Sequence, residues 1–315
     1  MSFIICIFEE LMNAETNKTS KFMKNILLTF FCAIGLGIAA GAQNLPVNWE
    51  EITGPDFKLA IQKSEGVCII PLGVLEKHGP QLPIGCDALL AKGIAQTAAE
   101  TEYAVVFPFY YFGQINEAKQ QPGTVAYSPE LCFKLLEETC KEVARNGFKK
   151  IILYNYHGGN KAFMEYFCQC QLYEKKDYIV YLAQHNPKPE AEARMARLRK
   201  QPKGQHADET ESANIMYLYP NLPKMNTTRD ESGEDMDRLP LKNLYTGIWW
   251  YAKFPNHYAA DATGASKELG EVSIKDRADV LCDMIRAVKA DTKGPALMKE
   301  YFEYAEDPTK TPIFE

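Results

Sequence analysis

The sequence predicts an α/β protein, a three-layer α/β/α arrangement with a mainly parallel central sheet. Short, almost wholly apolar runs of the kind found in strands buried on both faces alternate with segments whose apolar residues recur at helical spacing. No repeat, low-complexity block or clear linker breaks that rhythm after residue 42, so residues 43–315 read as one domain.

Residues 1–42 read as an export signal. Lys21 and Lys24 precede an apolar run from Ile26 to Ala39, and Ala40-Gly41-Ala42 places small residues at −3 and −1 of a cut before Gln43. The run is shorter than the roughly 20 residues a spanning helix needs, which argues for cleavage over a membrane anchor. Glu9, Glu10 and Glu15 are unusual ahead of such a signal, and Met23 offers an alternative start. The expected location is outside the cytoplasm, periplasmic or secreted, in a bacterium.

The apolar runs then follow in order. Gly66–Gly73 reads as a buried strand, Asp87–Thr101 as the helix after it, and Tyr103–Pro108 as the next strand. Ser128 opens a long helix that ends at Asn146-Gly147, with Glu130 early and Arg145 late, as the helix dipole favours. Phe148–Asn155 is a third strand, Lys161–Tyr173 a helix and Tyr178–Ala183 a fourth strand. Residues 184–205, with Pro187, Pro189 and Pro202 around a charged helix at 190–200, read as an insertion, either a lid or a solvated excursion. Ala207–Tyr219 is helical, Pro220–Leu241 a loop, and a last helix runs from about Ser273 to Ala290.

A composition of 46% hydrophobic and 24% charged residues is that of a globular chain, and a formal net charge of −6 leaves no basic footprint for nucleic acid. A small molecule is the better partner. Seven cysteines follow the expected cut, an odd number in a chain large enough to need no disulfide framework, so most read as buried thiols. Cys168-Gln169-Cys170 lacks a second pair and lies in a helical pattern.

Candidate chemistry gathers at the strand ends. After the first strand, LEKHGP places Glu76 and His78 two apart, on one side of an extended segment, past the carboxyl edge where open α/β sheets bind ligands. Asp87 follows at a helix entry, where it is either a cap or a ligand. YNYHGGN brings His157 to the same edge, with Gly158 and Gly159 permitting close backbone approach. QHADETES sets His206 and Glu211 five apart across another helix entry, in an acidic first turn. Imidazoles beside carboxylates suit zinc, manganese or iron better than calcium. His185 and His257 receive no assignment. Trp249 and Trp250 read as a pocket wall or as an apolar contact surface.

LEKHGPQLPIGCD, YNYHGGN and HADETES resemble, in order, three motifs of the creatininase family: Glu-x-His-Gly-Pro with a Leu-Pro turn and Asp, Asn-Gly-His-Gly-Gly-Asn, and His-Ala-Gly-Glu-x-Glu-Thr. QPGTVAYS and DATGASKELGE resemble two weaker ones, so the likeness spans most of Pro71–Glu271. The resemblance implies a metal-dependent amidohydrolase that cleaves a C–N bond in a small cyclic or linear amide with a metal-activated water. It implies one or two divalent metal ions on Glu76, His78, Asp87 and His157, with Asp87 bridging and Glu211 completing the second site or acting as base. His206 would handle protons on the substrate, and the protein would be a homo-oligomer, often a hexamer. Tyr156 and Asp208 replace glycines of the family pattern, Ser212 and Ala213 replace Thr and Ser, and Gln121 stands where His is usual. These departures bear on substrate identity. The rival reading from another class is a non-catalytic metal- or ligand-binding protein on the same scaffold. A second enzyme rival, a phosphoester hydrolase, should place Arg or Lys near the metal, and the three motifs offer only Lys77 and the more distant Lys161.

Overall fold

Strand β1 (Val67–Leu72) lies at the heart of the sheet, and every one of its residues is buried. It pairs in parallel with β2 (Val105–Val106) on one side and with β3 (Lys150–Asn155) on the other, and β3 pairs in parallel with β4 (Ile179–Leu182). The order is β2-β1-β3-β4. The sequence predicts β2 as Tyr103–Pro108; it is shorter because Pro108 and the facing Pro71 have no N–H to donate. Phe107 N still donates to Ile69 O, and Gly73 N to Tyr110 O, so the two chains close around a gap in the ladder. This computed structural model describes residues 45–314; the segment expected to be an export signal, with Met23, Cys6 and Cys32, lies outside that range. Residues from Pro46 onward form one compact unit.

A short helix, α1 (Phe57–Lys63), precedes β1, and α2 (Cys86–Thr101) follows it. Next come α3 (Pro129–Arg145), α4 (Lys161–Cys170) and α5 (Pro189–Leu198). The remaining helices are α6 (Glu209–Leu218), α7 (Trp249–Lys253), α8 (Lys267–Ala290) and α9 (Lys293–Glu306). Strand residues alternate between two faces. Val67, Ile69, Ile152 and Tyr154 point into a core shared with Leu90, Ile94, Ile274, Leu281 and Ile285 of α2 and α8. The opposite layer places α3 against β3 and α4 against β4. Ser128 caps α3 by accepting from Leu131 N, as its position ahead of Pro129 predicts.

Two helices depart from the sequence reading. Helix α8 begins at Lys267, capped by Ser266 rather than opening near Ser273, because Gly270 reads as a breaker but serves packing. A Cβ at Gly270 would sit 2.0 Å from the Ala213 carbonyl oxygen of α6, so the two helices touch backbone to side. Gly270→Ala is therefore expected to cost about 2–3 kcal/mol, as overpacking against a group that cannot yield does. Urea titration measures it, and an unchanged midpoint would contradict this packing. Helix α9 was not predicted, since Gly294 and Pro295 resemble loop; in a first turn the missing proline N–H deprives nothing. Asp291 accepts from Lys293 N and Gly294 N at its entry.

The excursion 184–205 is fastened at both ends. Asp276 of α8 accepts from Lys188 N at 3.1 Å, and buried Glu209 accepts from Lys200 N and Gln201 N. Between them Met195 of α5 packs on Ala213, Leu269 and Val272. The segment thereby becomes a wall beside the sheet edge. All seven cysteines among the described residues are free thiols.

Candidate metal centre

Leu72 and Asn155 are register partners, so the chains leaving β1 and β3 emerge side by side. Glu76 and His78 arrive on the first and His157 on the second. Asp87 stands in the first turn of α2, but the N-cap position is Gly85 and no side chain caps the helix. The carboxylate instead faces the two histidines. Asp208 does the capping at α6, where its side chain accepts from Glu211 N at 2.8 Å.

His157 Nδ1 lies 2.8 Å from Glu76 Oε1 and 2.9 Å from Asp87 Oδ2. All three atoms are buried, and none makes a directed hydrogen bond. Buried polar atoms are rarely left so. Aimed at a common point, two carboxylate oxygens and an imidazole nitrogen form a donor set suited to a divalent metal. Behind them His157 Nε2 donates to Gln114 O at 2.9 Å, which leaves Nδ1 as the ring atom that could face an ion. Asn155 and Asn160 brace the loop: Asn155 Nδ2 donates to His157 O, and Asn160 Nδ2 donates to Asn155 Oδ1. Of the paired glycines only Gly159 meets a close approach, since a Cβ there would lie 2.5 Å from His157 Nε2.

The other oxygen of Asp87, Oδ1, is 3.1 Å from His78 Nε2. His78 Nδ1 donates to Glu76 O at 3.2 Å, again leaving the second nitrogen free to bind. His78 clusters with Cys86 and Glu211, whose donor atoms lie within 4.8 Å of one another. Asp87 thus offers one oxygen to each of two adjoining groups. Cys86 has no site role in the sequence reading. Its thiol is pushed up to about 12, chiefly by burial.

A third group joins Glu76, His206 and His257. Nothing in the sequence singles out His257, which reaches the site from the far end of a long loop. Trp250 Nε1 donates to His257 Nδ1 at 2.9 Å, so His257 carries its proton on Nε2 and donates it to Glu76 Oε2. That tautomer makes His257 a hydrogen-bond donor to the Glu76 carboxylate. His206 Nε2 donates to Lys77 O at 2.9 Å. Ala207 beside it takes a left-handed φ of +54°, and its N–H is given to Glu211 Oε2.

The electrostatics follow from burial and from these contacts. Burial alone would raise Glu76, but the His157 ring beside it and the hydrogen bond from His257 hold its carboxyl well below the usual range. Burial would lower His157, yet Glu76 and Asp87 lift it well above an ordinary histidine. His78 is lifted likewise against burial, by Cys86 and Asp87. Glu211 is raised to about 7, mainly by burial. His206 is lowered to about 3 by burial with His78 and His257 beside it, so it is neutral at pH 7, not half-protonated as an exposed imidazole would be near 6.5.

Glu76, Asp87, His157, His206, Glu211 and His257 line a cavity of about 560 Å³ that the excursion 184–205 and Trp249 and Trp250 wall off. His185 and Arg277 line it too, which the sequence reading did not anticipate.

The sequence profile of the creatininase family, described as creatinine amidohydrolase, matches residues 50–285. The chain belongs to the creatininase family. A creatinine amidohydrolase of Pseudomonas putida is 26% identical over 119 residues, covering 36% of this chain and 46% of that protein. A mycofactocin precursor peptide peptidase of Mycolicibacterium smegmatis is 30% identical over 115 residues, 35% of this chain and 46% of that protein. A 3-dehydro-scyllo-inosose hydrolase of Thermotoga maritima is 36% identical over 91 residues, 29% of each. The matched stretches span less than half the length of these curated relatives. Among solved structures, a creatinine amidohydrolase has a TM-score of 0.67 at 22% identity, covering 79% of this chain and 100% of that one. A mutant creatininase described as Zn-Zn type has a TM-score of 0.67 at 20% identity, with coverage of 79% and 100%. The family fold is therefore shared across the sheet and its helices, and structural neighbours of this chain are metal enzymes.

Proposed function

We propose that this creatininase-family chain is a metal-dependent amidohydrolase that cleaves a C–N bond in a small amide. The convergence of Glu76 Oε1, Asp87 Oδ2 and His157 Nδ1, buried and without directed partners, carries the reading. Glu76, Asp87 and His157 would hold one divalent ion, and Asp87, His78 and Glu211 a second. Bound there, zinc, manganese or iron supplies an ionised water near neutral pH and an electrophile for a carbonyl oxygen.

The remaining work falls to side chains. His257, its tautomer fixed by Trp250, holds the Glu76 carboxylate in place. Glu211, raised to about 7 mainly by burial, would be matched to take the proton of the attacking water when it does not hold a second ion, and His206, with Nε2 committed to Lys77 O, has Nδ1 left to handle a proton at the substrate nitrogen. Neutral at pH 7, with its pKa lowered to about 3, His206 would relay a proton through Nδ1 to the departing nitrogen rather than store one. Trp249 and Trp250 line the cavity and would offer an apolar face to the substrate. Export, with cleavage before Gln43, belongs to the same proposal and rests on the sequence, whereas assembly into a homo-oligomer rests on the family resemblance alone.

The test is a panel of cyclic amides, formamides and short peptides, assayed with added zinc, manganese or iron. Stoichiometric metal with no turnover on any member would favour the non-catalytic binding protein. His206→Ala is expected to keep its metal and lose about 10²–10⁴-fold in turnover, the usual worth of a positioned proton carrier. Unchanged rates would remove His206 from the mechanism.

A further inference from the structure

Arg277 of α8 lines the same cavity as the metal centre, yet among the described residues no carboxylate pairs with it. Its Nε is enclosed and makes no hydrogen bond. The guanidinium has the Tyr154 hydroxyl beside it and lies over the ring of Tyr156, 4.8 Å from the centroid. Arg277 is half-buried, and a guanidinium drawn this far from water is ordinarily paired, because removing a charge from water costs more than a ring face returns.

The acidic side chains around it are committed elsewhere. Glu192 pairs with Arg199 at 3.2 Å, and Asp276 with His185 at 2.9 Å. Asp208 accepts from Glu211 N and Gly204 N. Glu211, the carboxylate whose field reaches Arg277, accepts from Ala207 N and clusters with His78 and Cys86. The positive charge is left facing the cavity. Tyr156, which stands where the family motif has glycine, supplies the face that holds the guanidinium, and Asn214 Nδ2 donates to its hydroxyl at 2.8 Å to fix the ring.

We propose that Arg277, laid on Tyr156, is an anion-binding residue of the cavity, and that the amide taken at the metal centre carries a carboxylate for it. The substrate half of this statement rests on the hydrolase reading; the binding half does not. Guanidinium and carboxylate match as a planar, two-pronged pair, which orients as well as attracts. The amide carbonyl would then be presented to the metal centre from a fixed anchor.

The experiment compares levulinate, a ketone that carries a carboxylate, with neutral 2-hexanone. Neither has a C–N bond to cleave. Calorimetry on the metal-loaded protein is expected to show levulinate binding at least tenfold tighter. Arg277→Met should erase that preference while leaving metal content and 2-hexanone affinity unchanged, and Arg277→Lys should keep part of it. Equal affinities in the unaltered protein overturn the proposal, a comparison that stands even if Arg277→Met does not fold. A preference that survives in Arg277→Met also overturns it, since the carboxylate would then sit on the metal. Inorganic phosphate binding more tightly than levulinate, and losing that affinity in Arg277→Met, overturns the choice of carboxylate. A parallel turnover assay with N-formylglycine and N-formylglycinamide separates the two readings. No cleavage of either with the binding preference intact defeats the hydrolase alone, whereas equal KM values for both defeat the anchor alone.

Discussion

Asp87→Ala is expected to abolish tight metal binding at both adjoining groups, with amide turnover lost in step. Asp87 Oδ2 faces Glu76 and His157, while Oδ1 faces His78, so a single truncation removes a donor from each. Loss of an outer-shell partner alone typically costs about 10–100-fold in metal affinity, and losing a direct donor should exceed ~100-fold at each position. The fold should survive. Asp87 does not cap α2, whose entry residue is Gly85, and its carboxylate is spent on the two histidines. Elemental analysis after dialysis against trace metal, with circular dichroism as control, gives the readout. Glu211→Ala supplies the contrast, because Glu211 clusters with His78 and Cys86 but not with Glu76 and His157. It should lower the metal stoichiometry by one and leave the first ion in place. Full metal content in Asp87→Ala would mean that the convergence of these atoms is not a metal site.

The fold was legible because burial on both faces writes itself into a strand. Val67–Leu72 and Ile151–Tyr154 carry uninterrupted apolar runs, and the chains leaving them deliver Glu76, His78 and His157 to one edge by register alone. Asp87 was ambiguous in the sequence, since an acid at a helix entry serves as cap or ligand; only the fold shows Gly85 at the capping position. His257, Cys86 and Arg277 were not legible as site residues. His257 reaches Glu76 across 181 positions of sequence through an irregular loop, with no periodicity to place it. Cys86 looks like any small apolar residue of a buried helix. Arg277 sits on a helix whose pattern announces core packing, and its isolation from carboxylates is a three-dimensional fact. The misplaced start of α8 has the same origin, because Gly270 is a breaker by propensity and a spacer by packing.

Metal affinity is expected to rise steeply with pH between about 6 and 8. In the metal-free site His157 Nδ1 stands between Glu76 and Asp87, and His78 Nε2 beside Asp87, so each nitrogen holds a proton where the ion would bind. Burial opposes those protons, but the carboxylates beside His157, and Cys86 and Asp87 beside His78, lift both rings well above 6.5. An ion must displace them, and each displaced proton steepens affinity by up to about tenfold per pH unit below the folded pKa. Stability moves in the opposite sense without metal. A histidine raised on folding contributes stability that is complete below its unfolded pKa of roughly 6.5 and is lost as pH climbs through the folded value. Glu76, held low, contributes stability above its unfolded pKa that is lost as pH falls through the depressed one. The metal-free protein should therefore weaken on the alkaline side while the loaded protein does not, and the gap between their melting temperatures should widen from pH 6 to pH 8. Calorimetric titration of zinc in buffers with different heats of protonation counts the protons released. An affinity that stays flat across this range, with no proton released, would mean that His78 and His157 do not occupy the positions of metal ligands.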